Sequence, residues 1–341
     1  MDKSFKSNRS LTSYAGLWAK GVCMGAADVV PGVSGGTMAF ILGIYQELIG
    51  SIRSVDTQFL RLVLTGRFRE AAARINLWFL VSVGAGIGTA IISLARLLSW
   101  LLENQPVYLW SFFFGLIIAS VISVSKRLEK WTPSAFLWAG AGAAFTYFLV
   151  GIVPANTPDA AWFLILSGAI CICAMILPGI SGAFILVLLG KYKFVLDAVH
   201  GFTGSLKDAL VLLKHGQFTD GLAAISVHDF LTVFFVGIGA IIGILSFVRL
   251  LNYLFTKHHD LIIALLTGFM VGSLRKVWPW KEPLEHSTRE INKLPDGMGG
   301  ELFIAIILAV TGIIAVLLLD YLAAEKDENK ETDKGLKNGN S

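Results

Sequence analysis

Long apolar runs separated by short polar stretches dominate the chain. A helix rises about 1.5 Å per residue, so about 20 apolar residues cross the roughly 30 Å hydrocarbon layer of a bilayer. Runs that meet this requirement lie at 77–102, 107–125, 134–153, 229–255, 260–277 and 302–321, and predict six transmembrane helices. Two further apolar regions, 15–50 and 160–198, are interrupted midway by clusters that begin at Pro31-Gly32 and Pro178-Gly179. A continuous helix does not tolerate such a break, and neither does backbone exposed to lipid, so each region predicts a re-entrant helical hairpin. A polar segment, 1–14, precedes the first hairpin. The segments 51–76 and 199–228 read as amphipathic connections, 278–300 as a polar loop, and 325–341 as a charged, disordered tail.

The two interrupted regions are copies of each other. At an offset of 147, Pro31, Gly32, Ser34, Gly35, Leu42, Gly43 and Tyr45 fall on Pro178, Gly179, Ser181, Gly182, Leu189, Gly190 and Tyr192. At an offset of 153, Gly84, Gly86, Ser93, Arg96, Gly115 and Ser120 fall on Gly237, Gly239, Ser246, Arg249, Gly268 and Ser273. Apolar helices resemble one another cheaply; shared prolines, serines and an arginine do not. The expected architecture is an all-α polytopic membrane protein of two repeats, 15–153 and 160–322, each a re-entrant hairpin followed by three spans. An odd number of crossings per repeat sends the second copy in from the opposite side, which is an inverted repeat. Rocking of one repeat against the other would then expose a midplane site alternately to the two faces.

Composition fits this picture: 55% hydrophobic and 15% charged residues cannot be folded into a water-soluble globule without large exposed apolar patches. Cys23, Cys171 and Cys173 lie in apolar segments and suggest neither a disulfide framework nor a metal site. The net charge of +4 is spread between apolar runs, so nucleic acid is not an expected partner. Basic residues crowd the 51–76 connection (Arg53, Arg61, Arg67, Arg69, Arg74), the turn at Lys126, Arg127 and Lys130, and the tail. By the positive-inside rule this places both termini in the cytoplasm, with the basic 275–300 loop as the exception.

Helices that start at the two Pro-Gly breaks leave their first N–H groups without intrahelical partners, and such a start attracts an anion. Pro31, Gly32, Ser34, Gly35, Gly36 and Thr37, together with Gly179, Ser181 and Gly182, are therefore the candidate anion-binding residues. The alternative is two kinks at which helices pack closely on small residues. Arg96 and Arg249 occupy equivalent places late in long apolar spans; either they neutralise a phosphate in the cavity or they snorkel to the interface. Asp28 has no acidic counterpart at Met175, so it breaks the symmetry, as a coupling site for H+ or Na+ would; pairing with an arginine is the other reading. Glu47, Lys191, Lys193 and Asp197 are expected near the interface, where Lys191 and Lys193 could also guide an anion in.

The run KGVCMGAADVVPGVSGGTMAFILGIYQELI, Lys20 to Ile49, resembles the signature of the bacterial and archaeal polyprenyl-phosphate transporter (PopT) family, and the likeness extends over about 15–322, including the second Pro-Gly-Ile-Ser-Gly hairpin. The resemblance implies a protein of the bacterial cytoplasmic membrane that moves undecaprenyl phosphate back towards the cytoplasmic leaflet. Its partners would be that lipid and the surrounding bilayer, with no catalytic residue, metal or cofactor. The family motif falls on Asp28, Pro31, Gly32, Ser34, Gly35, Gly36 and Thr37. A transporter or channel for a small soluble anion would use the same helix starts and arginines. An intramembrane serine protease would use the Gly-x-Ser-Gly turns, but every histidine lies in a loop or at a predicted span end, which leaves the serines without a base.

Overall fold

A computed structural model of the protein describes residues 9–29, 34–152, 157–215, 217–283, 290–295, 297 and 299–338. The first half of the chain forms α1 (Leu11–Val29), α2 (Gly35–Ile41), α3 (Tyr45–Arg53), α4 (Thr57–Leu64), α5 (Phe68–Arg74), α6 (Leu77–Asn104), α7 (Pro106–Ser125) and α8 (Pro133–Leu149). The second half repeats the order with α9 (Ala161–Ile176), α10 (Gly182–Leu188), α11 (Tyr192–Lys214), α12 (Phe218–Ala223), α13 (Val227–Lys257), α14 (His259–Ser273) and α15 (Gly300–Asn338). A two-stranded antiparallel ribbon, β1 (Lys281–Pro283) and β2 (Glu290–Asn292), precedes α15.

Local chemistry sets many of these limits. Pro106 and Pro133 open α7 and α8, at a position whose N–H has no helical partner. Asp56 caps α4 by accepting from the Phe59 N–H, and Thr132 caps α8 by accepting from the Ala135 N–H. The short helices α2 and α10 both end in a left-handed glycine, Gly43 (φ 70°) and Gly190 (φ 64°), related by the same offset of 147.

Glycines bring the helices into backbone contact. On α1, a Cβ at Gly21 or Gly25 would overlap the carbonyls of Val83 or Ile87 of α6, and one at Gly86 would overlap the Trp18 carbonyl. The pair α9 and α13 repeats this crossing: a Cβ at Gly168 would overlap the Val236 carbonyl, and one at Gly239 the Ile165 carbonyl. At one contact the small residue changes sides. Gly25 faces Ala90 in the first copy, while the equivalent Ile172 faces Gly243 in the second. Close approach of backbones over small residues is the usual packing of helices in lipid.

The last spans pair crosswise. Gly115 of α7 abuts the Ala309 carbonyl of α15, and Gly268 of α14 abuts the Ala139 carbonyl of α8. Each repeat's second span therefore packs on the other repeat's third span. These pairs join helices of the two sequence repeats.

The chain divides into two compact units, one of Met1–Gly151, Leu177–Ile180 and Leu251–Ser341, the other of Ile152–Ile176 and Ser181–Leu250. Phe79, Ile263, Leu266 and Met270 lie in the core of the first; Leu164, Ile185, Leu188 and Val248 are buried in the second. Large apolar side chains remain outside, among them Ile92 at 84% exposure and Leu137 at 71%. A surface of this kind needs lipid rather than water.

Four helices among the described residues are long and apolar enough to cross a membrane: Leu77–Leu94 within α6, α7, α13, and Gly300–Leu318 within α15. The apolar runs predict six full spans, but α8 and α14 run only 17 and 15 residues. They pack on each other through Gly142, Gly268 and Gly272, and Arg275 caps the end of α8 by donating to the Tyr147 carbonyl at 2.8 Å. The expected polar loop at 278–300 contains the ribbon, anchored by the Trp278 indole N–H on the Lys293 carbonyl and by the Trp280 indole N–H on Glu301. The expected disordered tail continues as helix α15 to Asn338, over a stretch rich in the helix-forming residues Ala, Glu and Lys.

Candidate anion site at the broken helices

Asp28 lies one residue before the end of α1, and the chain turns back to begin α2 at Gly35. Its carboxylate oxygen Oδ1 accepts from the Gly35 N–H at 2.7 Å. A Cβ at position 35 would overlap the Asp28 carboxylate and push it off this amide. Ser34 is the N-cap, with extended backbone, and its Oγ accepts from the Gly36 N–H at 3.1 Å. The next N–H, that of Thr37, bonds back to the Ser34 carbonyl at 3.0 Å. At the start of α2 the N–H groups expected to receive an anion are thus already satisfied, the first of them by the chain's own carboxylate, which also suits the positive end of the helix dipole.

The same residues hold the second Pro-Gly turn. Ser34 Oγ donates to the Leu177 carbonyl at 3.2 Å, and the Gly179 N–H donates to Thr37 Oγ1 at 2.9 Å. Gly179 is left-handed, at φ 86°, and lies against the backbone of Phe269 and Met270 of α14. Ser34 and Thr37 are only 2% and 3% exposed. Asp28, Ser34, Gly35, Gly36, Thr37 and Gly179 therefore form one cluster of polar groups in an apolar surround.

The remaining predicted site residues are placed as follows. Pro31 and Gly32 lie outside the described residues. Arg96 is on α6, with its side chain outside the described part. Ser181 is buried at the extended N-cap of α10, and Gly182 packs on Cys171, where a Cβ would overlap the carbonyl. Arg249 is exposed on α13 and donates to the Leu245 carbonyl one turn back at 2.7 Å.

Three contacts near the hairpins were not foreseen. Lys20 Nζ donates to the Leu42 carbonyl at 2.6 Å and so caps the C-terminal end of α2, a role suited to a cation. Arg127 lies 5.1 Å over the Phe40 ring, which also meets Tyr45 and Phe255. Glu47 receives Arg9 through both carboxylate oxygens and Asn76 through one, joining the segment before α1, α3 and the start of α6. The only sequence signal for these was a charged residue close to a hairpin end.

These features define an all-helical, polytopic membrane protein in which buried hydroxyls and backbone groups at the start of α2 hold the second Pro-Gly turn. The chain belongs to the VCA0040-like family, described as undecaprenyl phosphate translocase-like, whose model matches residues 24–294. It is 43% identical over 276 residues to a polyprenyl-phosphate transporter of Vibrio cholerae serotype O1, with 80% of each chain covered. It is 30% identical over 323 residues to a polyprenyl-phosphate transporter of Staphylococcus aureus, covering 90% of this chain and 96% of that one. No solved structure matches the chain.

Proposed function

We propose that the protein carries undecaprenyl phosphate across the bacterial cytoplasmic membrane for cell-envelope synthesis, with its phosphate received at the two broken helices and its tail left in lipid. The observation that carries this reading is the Asp28 carboxylate on the Gly35 N–H: the start of the helix after the break already receives an anionic group, as it would a phosphate. Phosphate binding then requires Asp28 to leave, and protonation is the change that weakens its hold on the amide. Ser34, Gly35, Gly36, Thr37 and Gly179 supply the amides and hydroxyls of the phosphate site, with Pro31, Gly32, Ser181 and Gly182 completing the two turns. Arg96 and Arg249 are the cations that the headgroup meets on its way.

Coupling follows from the same exchange. An inside-negative potential opposes inward movement of an anion by about 2.3 kcal/mol per charge per 100 mV. A proton that enters on Asp28 as the phosphate enters on the amides cancels one charge. The two repeats stand in inverted topology, each hairpin re-entrant from its own side, and the hairpins move against the crosswise-paired spans while both termini stay cytoplasmic.

The test is undecaprenyl phosphate exposure at the outer surface of cells depleted of this protein and of any redundant transporter, read with a headgroup-specific probe. Exposure rises on depletion, wild-type protein reverses the rise, and Ser34→Ala expressed at the same level does not. Unchanged exposure on depletion would assign the site to a small soluble anion instead.

A further inference from the structure

The turn that follows α10 differs from its copy after α2 in where it carries a cation. After the left-handed Gly43 the first copy continues with buried Ile44; after the left-handed Gly190 the second continues with Lys191. In the first copy the cation comes from another helix, Lys20 of α1 on the Leu42 carbonyl, so the turn itself does not need a lysine at this position. Yet the lysine is only 2% exposed, and burying an ammonium is costly unless something compensates it. Its Nζ donates to the Thr157 carbonyl at 2.8 Å and to the Asp159 carboxylate, and it lies 5.8 Å and 5.5 Å from the ring centres of Phe163 and Phe194. The nearby Leu189 carbonyl, which could otherwise share the ammonium, is occupied by the Thr157 hydroxyl at 2.5 Å.

The two members of the ion pair are unequally placed. The Lys191 side chain is 3% exposed, whereas that of Asp159 is 61% exposed. The carboxylate already faces solvent, so its departure costs little desolvation, while the ammonium cannot be left without an anion. The surroundings suit a lipid headgroup: Trp162 and Tyr192 are exposed beside the pair, as aromatic residues are at a membrane–water boundary. Phe163 and Phe194 give the cation apolar walls along which the first isoprene units of a lipid would lie.

We propose that Lys191 is a docking cation for the phosphate monoester headgroup of a membrane lipid, at the interface where the second hairpin enters, and that Asp159 is the anion it exchanges for that phosphate. No covalent bond changes; the carboxylate turns out to water as the phosphate oxygen takes its place, and the Thr157 carbonyl keeps the ammonium in position. This rests on the reading of the protein as a carrier of lipid phosphate and adds a capture step to it, separate from the broken-helix cluster.

The pair makes the proposal testable, because a structural latch and an exchangeable counter-ion respond oppositely to substitution. The full chain is reconstituted in phosphatidylcholine nanodiscs and titrated with farnesyl phosphate or with inorganic phosphate. Asp159→Asn, at an exposed position, removes the competing anion and tightens farnesyl phosphate by about three- to tenfold; Lys191→Gln weakens it by about tenfold or more. Thermal unfolding of each variant checks that the fold persists, and Lys191→Arg restores binding if Gln disturbs the packing. If Asp159→Asn weakens binding or leaves it unchanged, the pair is a latch and the proposal is overturned. If inorganic phosphate binds as tightly as farnesyl phosphate, the site belongs to the free ion and lipid docking is overturned. A wild-type protein that binds neither ligand sinks the transport reading itself, and this inference with it.

Discussion

Replacing Asp28 by asparagine separates its capping role from its charge. The amide oxygen of the substituted side chain still accepts from the Gly35 N–H, which the native carboxylate holds at 2.7 Å. A hydrogen bond to a charged group contributes about 1.5–3 kcal/mol and a neutral one about 0.5–1.5, so Asp28→Asn costs about 1–1.5 kcal/mol and the protein folds. Asp28→Ala strands the amide and costs about 1–3 kcal/mol. The functional effect is larger. If wild-type protein moves one proton with each phosphate charge, the leaflet distribution of the lipid at equilibrium ignores membrane potential and follows the pH gradient. Asparagine cannot carry the proton, so the variant moves a net charge, and at 100 mV the lipid is depleted from the negative side by about 50-fold, the equivalent of about 2.3 kcal/mol. The assay is a proteoliposome containing polyprenyl phosphate, with potential set by a potassium gradient and valinomycin and headgroups counted at the outer surface with an impermeant probe. Equilibrium distributions do not depend on which way round the protein inserted. An Asp28→Asn variant that still follows the pH gradient and ignores potential would refute the reasoning.

The glycine crossings predict matched effects at repeat-related positions. Gly86→Val and Gly239→Val each force a side chain into a carbonyl and lower stability by about 1–3 kcal/mol or more, whereas Gly88→Ala, with open space around it, holds or raises stability; thermal unfolding in detergent compares them. Thr37→Val removes the acceptor of the Gly179 N–H, so hydrogen exchange at Gly179 speeds up, while Thr37→Ser keeps it slow. Asp56 is held below its ordinary carboxylate range by the Arg74 guanidinium, helped by the Phe59 amide. A lowered folded value means the contribution is complete above about pH 4 and fades as pH falls through the folded value. Wild type and Asp56→Asn therefore keep a constant stability difference from about pH 5 to 8 that shrinks below about pH 4; a change between about pH 6 and 8 would point to another group.

What could be read from the sequence was what breaks a helix or repeats. Pro31 and Pro178, the glycines after them and the pair Gly86/Gly239 are local irregularities in apolar text, and they mark the broken helices and the first-span crossings that the structure contains. The partners of those residues could not be read. Asp28 stands out as a lone acid, but its acceptor role is towards a backbone amide seven residues on, brought back by a turn that no periodicity encodes. Crosswise pairing of α7 with α15 and of α14 with α8 was invisible for a similar reason: an apolar helix with a glycine face does not state which helix it will meet. The ribbon at 281–292 is too short for alternation to show, and Trp278 and Trp280 read only as aromatics in a polar loop.

The crosswise pairing also constrains how the protein is made. Helix α7 is complete when Ser125 leaves the ribosome, but the helix that covers Gly115 starts at Gly300. For the synthesis of some 175 intervening residues the glycine face of α7 has only lipid, or the insertion machinery, against it. At about 5–20 residues per second, that wait lasts from about ten seconds to more than half a minute. A chain truncated before Gly300 can insert α7 but cannot bury that face, so the packing of α7 waits on α15.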